Sequence, residues 1–440
     1  MKNIARNTAT LLAAIIMSLT AAGCSTNDTA STEAAANTAA ASATVSTSKS
    51  AASAETNAAV AAASSTAAVN TDTGESDLFT KRDLEQTADT SDAQTITLSD
   101  GKTVEITEAG VYVLTGTAVN CTVKVDADNE SKVQLVLDGV SITNDSTPAI
   151  YVVSCDKCFI TTAEGSTNTL SVTGNFTADG DTNTDAVIFA KDDIVLNGTG
   201  TLEITSNNGN GISGKDDIKF TGGTYVIKSA KDAIEANESI LVSDGSFTVN
   251  TSKDGLHAEN DEDDTTGSIV ITGGSFTVNA KSDAIQAATY VQIDGGSFEI
   301  TASEGIEATG IVINGGDISI SASDDGVNAA QKSKSYGTPA FEMNGGTLTI
   351  VMGSGDTDAV DANGNVTVNG GTIDITTSLV GTAESFDYDG TATYNGGTII
   401  INGSEVDSIP QSSMPGGGMG GMGGMGGMND MGGRGGRGWF

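Results

Sequence analysis

Aromatic residues, proline, histidine and arginine are all scarce in this chain of 440 residues. Aromatic side chains make up 4% of it, and there are one Trp, four Pro and one His. No arginine occurs between Gln94 and Pro410. The shortage of aromatics argues against the flat row of exposed rings that usually grips crystalline cellulose. The missing arginine removes the residue that best clamps a carboxylate ligand through two hydrogen bonds.

Long hydrophobic runs are also missing, except at the start of the chain. Lys2 and Arg6 precede the run "ATLLAAIIMSLTAAGC", which ends at Cys24. The run is short for a membrane span but typical of a secretory signal. Small residues before a cysteine resemble a lipoprotein cleavage box, so we predict a signal peptide over residues 1–24 and lipidation of Cys24. An ordinary secretory signal is the alternative.

Two low-complexity segments flank the central part of the chain. Residues 25–93 are rich in Ala, Ser and Thr, and residues 411–440 are rich in Gly and Met. Such segments bury too little apolar surface to offset the entropy lost on ordering. We therefore predict a linker over 25–93, one folded domain over 94–410 and an unfolded tail over 411–440.

The charge of the chain is strongly negative, at −37. Between Gln94 and Pro410, 46 acidic residues stand against 13 lysines. Such a surface repels nucleic acid and anionic lipid, so we expect no nucleic acid partner and membrane contact through the lipid anchor alone. It is compatible with divalent cations.

A glycine turn recurs through the central segment with a usual step of about 22 residues. It appears as "TGGTYVIK", "SDGSFTVN", "TGGSFTVN", "DGGSFEIT", "NGGDISIS", "NGGTLTIV" and "NGGTIDIT", after an earlier "NGTGTLEIT" ending its turn at Gly200. Each unit holds three short alternating runs and no helical period. Units of this kind bury their inner faces by stacking, so we predict an all-β right-handed parallel β-helix, a solenoid. Tyr225, Phe247, Phe276 and Phe298 are expected to form an internal stack.

Carboxylates also recur once per unit, in two columns. A corner column begins the third run of each unit, and an outward column lies three residues further along. The corner column comprises Asp232, Asp254, Asp283, Glu304, Asp325 and Asp358. The outward column comprises Glu235, His257, Gln286, Glu307, Asn328 and Asp361. The aliphatic residues between the columns are expected to point inward.

Stacked carboxylates on neighbouring coils repel one another. At a spacing of roughly 4.8 Å, two unit charges cost about 3.5 kcal/mol at an effective dielectric of 20. Calcium suits a flexible array of oxygen ligands, so we predict a calcium-binding face. Its candidate ligands are Asp232, Glu235, Asp254, Asp283, Glu304, Glu307, Asp325, Asp358 and Asp361. The alternative is that each Asp stabilises a turn through its own backbone, which does not explain Glu235, Glu307 or Asp361.

Basic and aromatic residues near these columns are candidates for contact with a ligand. Lys231, Lys253 and Lys281 precede three of the corner carboxylates. His257 is the single histidine and begins the acidic stretch "HAENDEDDTTG", and Tyr290 is one of few tyrosines available for stacking on a sugar. We assign these five residues to substrate binding and expect no catalytic residue.

Three cysteines remain after Cys24, namely Cys121 and the pair in "CDKC", Cys155 and Cys158. A zinc site would need a fourth ligand, and a disulfide would leave one thiol unpaired. Packed free cysteines are the preferred interpretation.

The central segment resembles a known bacterial family. The stretches "ITEAGVYVLTGT", "VKVDADNESKVQLVLDGVSITNDSTPAIYV", "CFITTAEGSTNTLSVTG" and "KDGLHAEND" are similar to those of carbohydrate-binding domain-containing proteins, first described as a domain of unknown function in cellulose-degrading clostridia. The resemblance runs from about Thr95 to Asn328. It implies a secreted β-helix shaped like pectate lyases, calcium binding, and adhesion to cellulose and polygalacturonate without demonstrated catalysis.

These observations predict a monomeric, extracellular, cell-surface lipoprotein that binds acidic plant cell-wall polysaccharide through calcium, with cellulose as a second ligand that the resemblance implies. Two alternatives remain open. A β-helical lyase would need a buried lysine as its base in place of arginine, and a hydrolase would need two carboxylates at a defined separation. A structural adhesin would use the solenoid only as a rod.

Overall fold

The repeating runs form short strands joined by glycine corners. The computed structural model describes residues 78–354, 357–378 and 384–410, which belong to one compact unit that begins at Leu78. The predicted signal peptide, Cys24, most of the linker and the tail over 411–440 lie outside the described residues. The described part contains strands, turns and bends without a helix, which confirms the all-β prediction. It accordingly holds no helix long and apolar enough to cross a membrane.

The strands are short, with few longer than ten residues. The first twelve are β1 Gln94–Thr97, β2 Thr103–Ile106, β3 Gly110–Val119, β4 Thr122–Asp126, β5 Lys132–Asn144, β6 Ile150–Ser154, β7 Lys157–Thr162, β8 Thr167–Val172, β9 Ala186–Ala190, β10 Ile194–Gly198, β11 Thr201–Ser206 and β12 Asn210–Gly214. The next ten are β13 Ile218–Ser229, β14 Ile234–Ala236, β15 Ser239–Thr251, β16 Leu256–Ala258, β17 Ser268–Ile271, β18 Ser275–Asn279, β19 Asp283–Ile293, β20 Ser297–Ala302, β21 Glu304–Ile313 and β22 Asp317–Ala322. The last ten are β23 Val327–Ala329, β24 Ala340–Met343, β25 Thr347–Met352, β26 Val360–Ala362, β27 Asn365–Val368, β28 Thr372–Thr376, β29 Asp387–Tyr388, β30 Ala392–Tyr394, β31 Thr398–Ile401 and β32 Ser404–Val406.

Each strand pairs in parallel with the equivalent strand of the next unit, so the pairings form three ladders. The first ladder holds the strands before each glycine corner, such as β10, β13, β15 and β17. The second ladder holds those after the corner, such as β18, β20, β22 and β25. The third ladder begins at the corner column and includes β12, β14, β16 and β19. At the C-terminal end, β31 and β32 pair antiparallel.

The core lies between the ladders and repeats from unit to unit. Tyr225, Phe247, Phe276 and Phe298 are in register, almost fully buried, and stacked with ring centroids 5.0, 4.5 and 4.7 Å apart. The expected internal aromatic stack is therefore present. The aliphatic residues between the two carboxylate columns are also fully buried, as predicted: Ile234, Leu256, Ile285, Ile306, Val327 and Val360.

Glycine is required at the corners because the coils approach closely there. Gly274 has a φ of 102°, and a Cβ added to it would lie 3.1 Å from the carbonyl oxygen of Gly245 on the neighbouring coil. The sequence placed the first of these corners at Gly200, but the positive φ falls on Gly198, at 108°.

Residues 78–93 belong to the folded unit, although the sequence assigned them to the linker. Asp83 is fully buried and lies 3.3 Å from Lys157 Nζ. Gln86 donates a hydrogen bond to the Thr221 carbonyl at 2.8 Å and accepts one from the Gly198 amide at 2.9 Å. Phe79 packs with three residues on the outside of the first ladder, Leu241, Val270 and Tyr290. The sequence did not reveal this docking because it depends on a few side chains, Phe79, Asp83 and Gln86 among them, in a segment whose composition is otherwise polar.

Cys121, Cys155 and Cys158 are free and buried in the core, which agrees with the preferred interpretation. Burial raises the pKa of the Cys155 thiol to about 12, so this group stays protonated at neutral pH. These thiols therefore pack as small apolar groups.

Candidate functional site

The corner column lies where the strands of the third ladder begin. In most of its members, one carboxylate oxygen accepts a hydrogen bond from a backbone amide of the next unit. The Asp254 amide donates to Asp232 Oδ1, and the Asp283 amide donates to Asp254 Oδ1, both at 3.0 Å. The Asp358 amide donates to Asp325 Oδ1 at 3.0 Å. The turn-stabilising alternative is therefore real for these aspartates. In Asp232 and Asp254 it accounts for Oδ1, while Oδ2 of each faces Lys253 and His257.

The outward column lies in exact register along the third ladder. Glu235 pairs with His257, which pairs with Gln286. Gln286 pairs with Glu307, and Glu307 pairs with Asn328. Because adjacent coils are about 4.8 Å apart, each outward side chain lies beside the one on the next coil.

Two groups of acidic and histidine side chains come close enough to share a ligand. We call Asp232, Asp254 and His257 the His257 cluster, and Asp283, Glu304 and Glu307 the Asp283 cluster. In each cluster, one ligand atom from every residue lies within 4.8 Å of those from the other two. The two clusters occupy neighbouring coils, since Asp254 bonds to the Asp283 amide.

The His257 cluster carries its own positive charges. Lys253 Nζ lies 2.8 Å from Asp232 Oδ2 and 3.6 Å from Asp254 Oδ2. The His257 ring lies between two carboxylates, with Nδ1 3.5 Å from Asp232 Oδ2 and Nε2 3.1 Å from Glu259 Oε2. Both aspartates and the histidine are buried.

The proton affinities in the His257 cluster follow from these contacts. Burial disfavours the charged form of His257, but its hydrogen bonds to Asp232 and Glu259 outweigh burial and raise its pKa to about 10. Burial likewise opposes ionisation of Asp232, but hydrogen bonds from His257 and Lys253 outweigh it and lower the pKa to about 2. At neutral pH the cluster is a network of opposite charges.

The Asp283 cluster has three carboxylates and one nearby ammonium group. Lys332 Nζ lies 2.6 Å from Glu307 Oε2. Gln286 Nε2 donates to the same oxygen at 3.1 Å, and Asn328 Nδ2 donates to Glu304 Oε2 at 2.9 Å. Asn328 Oδ1 is buried and accepts no hydrogen bond. A buried acceptor without a partner is costly, and here it belongs to a side chain that touches the carboxylates.

Two carboxyl groups of the Asp283 cluster, Asp283 and Glu304, have raised pKa values. Burial, followed by repulsion from Glu304, raises the pKa of Asp283 to about 8. Burial, followed by repulsion from Glu307, raises the pKa of Glu304 to about 7. Two neighbouring carboxyl groups are therefore largely or partly protonated at neutral pH.

The two clusters differ in whether they fit calcium. In the His257 cluster, protonated His257 and Lys253 already occupy the carboxylate oxygens, and a histidinium cannot bind a metal. The Asp283 cluster offers carboxylate oxygens and the unpaired Asn328 Oδ1, which are the hard donors that calcium prefers. Two oxygens on one calcium ion at roughly 2.4 Å can lie at most about 4.8 Å apart, so the observed spacing suits the ion.

The remaining predicted ligands lie outside these clusters. Glu235 Oε2 accepts hydrogen bonds from Asn210 Nδ2 at 2.7 Å and Ser213 Oγ at 2.9 Å. Further along the ladder, Asp358 and Asp361 are half-buried, and burial with repulsion from Asp325 raises the pKa of each to about 6. The predicted nine-residue face is therefore divided into groups with different surroundings.

The five residues predicted to bind a ligand fare differently. Lys231 is half-exposed and paired with Asp185 at 2.9 Å, and Lys281 is exposed. Lys253 and His257 are engaged in the His257 cluster. The prediction for Tyr290 is wrong, because its side chain is buried against Phe79 and stacked on Tyr336 with ring centroids 5.7 Å apart. A segment assigned to the linker covers it, which the repeat could not reveal.

Lys332 is a site residue that the sequence analysis missed. It lies in the polar stretch 331–338, which interrupts the repeat between β23 and β24. A second interruption, 260–267, meets this stretch where Ser335 Oγ donates to Asp264 Oδ1 at 2.7 Å. Residues in such insertions have no register, so their spacing along the chain does not predict their neighbours. The available signal was that the stretch carries two lysines, Lys332 and Lys334, shortly after Glu304, Glu307 and Asp325 in the sequence.

Residues 78–93 contain one arginine, Arg82, which therefore lies in the folded unit. Its guanidinium lies 4.4 Å from the centre of the Phe159 ring, on the first ladder. It packs against that ring as a structural cation.

Comparison with known proteins places the chain in a family. The model of the carbohydrate-binding domain-containing protein family matches residues 100–357. The chain belongs to this family. A carbohydrate-binding domain-containing protein of Acetivibrio thermocellus is 38% identical over 128 residues, which are 29% of this chain and 45% of that protein. The match thus spans under half the length of that relative. The resemblance inferred from the sequence is confirmed.

A solved structure is also similar. It is that of the polysaccharide lyase-like protein from C. thermocellum, as a gadolinium derivative, with 30% sequence identity and a TM-score of 0.45. The alignment covers 51% of this chain and 93% of that chain.

Proposed function

We propose that the chain is a calcium-dependent, non-catalytic binder of acidic plant cell-wall polysaccharide of the polygalacturonate type. Membership of a carbohydrate-binding family supports a polysaccharide partner. The observation that carries the calcium part is the Asp283 cluster, in which three crowded carboxylates face one ammonium group. We further infer that the three ladders close into a right-handed parallel β-helix, the hand that parallel crossovers adopt almost without exception.

A cation is needed between this protein and a polyuronate because both are polyanions. With a chain charge of −37, direct approach of a second polyanion is repulsive. Calcium would supply positive charge and open coordination positions for sugar carboxylates. The protein's own contribution is to hold Asp283, Glu304 and Glu307 on adjacent coils, with Asn328 and Gln286 donating hydrogen bonds that fix the glutamates.

Acidic glycan is a better physical match than cellulose. Among the described residues, the large exposed apolar side chains are Leu84, Val119, Val226 and Val351, none of them aromatic. The rings of Tyr290 and Tyr336 stack on each other and pack against Phe79, Leu241 and Val270. A flat aromatic platform for crystalline cellulose is therefore missing from the described part of the chain.

Two observations favour a binder over a lyase. Lys253 lies beside Asp232, and although burial opposes its charge, hydrogen bonding to Asp232 raises its pKa above the ordinary value. Hydrogen bonding to Glu307 likewise overcomes burial and raises the pKa of Lys332. A lysine that serves as a base needs a lowered pKa, so both are unsuited to abstracting a proton.

We further propose that lipidated Cys24 anchors the chain to the cell surface. Residues 25–77 act as a spacer, and the domain beyond them is monomeric. Mass spectrometry of the protein from its own membrane fraction tests the lipid, and light scattering of the chain without residues 1–24 tests the oligomeric state.

The test of function is calorimetric titration of calcium into the chelator-treated protein, followed by polygalacturonate with and without calcium. Ultraviolet absorbance of unsaturated sugars is monitored in parallel. We expect calcium binding, glycan binding that depends on calcium, and no unsaturated product. The matched variants are Glu304→Gln, inside the Asp283 cluster, and Glu299→Gln, an exposed residue of β20. Product formation would establish a lyase, and glycan binding unaffected by chelation would exclude the calcium bridge.

A further inference from the structure

The side chain of Lys332 reaches the Asp283 cluster from outside the ladders. Lys332 belongs to the stretch 331–338, and its Nζ forms an ion pair with Glu307 Oε2 at 2.6 Å. The ligands themselves sit on β19 and β21, so the lysine and the carboxylates are positioned by different parts of the chain.

The backbone around Lys332 is held by contacts that do not involve its ammonium group. Thr309 Oγ1 accepts hydrogen bonds from the Lys332 amide at 3.0 Å and the Ser333 amide at 2.9 Å. Ser333 Oγ donates to the Asp264 carbonyl, and Tyr336 stacks on Tyr290. The side chain can therefore change its partner by rotating about its own bonds while the stretch 331–338 stays in place.

The Lys332 ammonium group and a divalent cation compete for Glu307 because both are positively charged. Both seek the oxygens of Glu307, and two cations that share one carboxylate oxygen repel each other strongly. About a third of the Lys332 side chain is exposed, so solvent offers the ammonium an alternative position at small cost.

We propose that Lys332 is a tethered counterion of the Asp283 cluster, and that its ammonium leaves Glu307 when a divalent cation binds and then pairs with a carboxylate of the polysaccharide. This inference rests on the proposed function. It assigns the lysine two successive partners: an internal glutamate in the free protein and a uronate in the complex. Recognition of the acidic sugar is thereby coupled to occupation of the cation site.

Lysine-directed acetylation followed by peptide mass spectrometry tests the first step on the full chain. We expect the acetylation rate of Lys332 to rise several-fold on adding calcium, while that of Lys334, an exposed residue of the same stretch, stays constant. An unchanged rate at Lys332 in protein that binds calcium by calorimetry would overturn the inference and leave the calcium site intact. Absence of calcium binding would instead overturn the proposed function and this inference together.

The Lys332→Gln variant, with Lys334→Gln as its control, tests both steps. Removal of the competing ammonium is expected to increase calcium affinity by about 1.5- to fivefold, the range of an ion pair near the surface. The same variant is expected to bind polygalacturonate more weakly at saturating calcium. Calcium affinity that is unchanged or reduced in Lys332→Gln contradicts displacement, and unchanged glycan affinity contradicts the second role.

Discussion

The His257 cluster and the Asp283 cluster are built from the same repeat and reach opposite electrostatic states. In the first, Lys253 and protonated His257 are interleaved with the carboxylates, and the pKa of Asp232 is lowered to about 2. In the second, Gln286 stands where His257 stood one coil earlier, and the pKa of Asp283 is raised to about 8. The change from His257 to Gln286 in the column thus accompanies the change from a self-neutralised network to a cluster of three carboxylates with one ammonium group, that of Lys332.

The difference shows how a repeating all-β structure can create a site without changing its backbone. Both clusters use the same corner and the same third ladder. Only the side chains presented by consecutive coils differ, together with Lys332 from an insertion. A repeat that supplies identical positions lets a few substitutions concentrate charge on one coil, while its neighbours remain structural.

The largest expected effect comes from removing His257, one of the two cations of the His257 cluster. The variant His257→Gln leaves Asp232 with Lys253 alone in a buried setting, and breaking a buried pair is costly. We expect the free energy of unfolding to fall by about 2–3 kcal/mol, measured by urea denaturation. The control Glu299→Gln should change it by less than about 0.5 kcal/mol. Equal stability of the two variants would mean that His257 does not hold this cluster together.

The second effect concerns cation affinity. In Glu304→Gln, one hard oxygen ligand and one negative charge are lost, so calcium affinity should fall at least about tenfold, equivalent to roughly 1.4 kcal/mol. The matched change Asp254→Asn retains an Oδ1 acceptor for the Asp283 amide and should alter calcium affinity far less. Both are measured by calorimetry. If the two variants lose affinity equally, the distinction between the clusters is wrong.

The third effect is a dependence of stability on pH in the presence of chelator. The folded pKa values of Asp283 and Glu304, about 8 and 7, lie above the ordinary values of 3.8 and 4.5. The folded state therefore binds more protons than the unfolded chain, and stability is fully present below about pH 4 and is lost as the pH rises through 7 and 8. We expect a loss of about 1–2 kcal/mol, since solvent screening at partly buried Glu304 reduces the effect of the raised pKa values.

Thermal unfolding between pH 5 and pH 9 measures this loss, and calcium should restore the stability at high pH. The Glu304→Gln variant should show a smaller dependence on pH. A melting temperature that rises steadily from pH 5 to pH 9 in chelator would contradict the raised pKa values. The pKa of His257, raised from 6.5 to about 10, adds a further loss of stability as the pH rises above about 6.5, so the comparison of Glu304→Gln with the unaltered chain isolates the part that belongs to the Asp283 cluster.

The smallest expected effect shows whether the strands β19 and β21 or the stretch 331–338 determine the geometry of the Asp283 cluster. Tyr336→Ala removes the stacking on Tyr290, which is worth about 1 kcal/mol of stability. Calcium affinity should change less than about twofold, since Asp283, Glu304 and Glu307 are placed by β19 and β21. Denaturation and calorimetry on the same preparation check this. A large loss of calcium affinity would mean that the insertion also shapes the site.

The sequence predicted the parts of the molecule that depend on the repeat. The period of about 22 residues correctly placed the inward aliphatics, the aromatic stack and the register of both carboxylate columns. Each of these follows from a local alternation that neighbouring coils copy. The pairing of Glu235 with His257, for example, needs only the spacing between two similar units.

The sequence failed where a contact joins segments that the repeat does not relate. Tyr290 is covered by Phe79, which lies more than two hundred residues earlier, and Lys332 meets Glu307 from an insertion of free length. The opposite states of the two clusters were not predicted either. Whether a carboxylate is neutralised depends on the few ångströms between it and a flexible cation, a distance that composition does not encode.

Anomalous X-ray diffraction from crystals of the protein grown in calcium shows directly whether the Asp283 cluster, and not the His257 cluster, binds the ion. We predict one strong anomalous peak among Asp283, Glu304 and Glu307, with Lys332 Nζ moved away from Glu307, and no peak among Asp232, Asp254 and His257. A peak in the His257 cluster, or an Asp283 cluster without a peak at saturating calcium, would contradict the account.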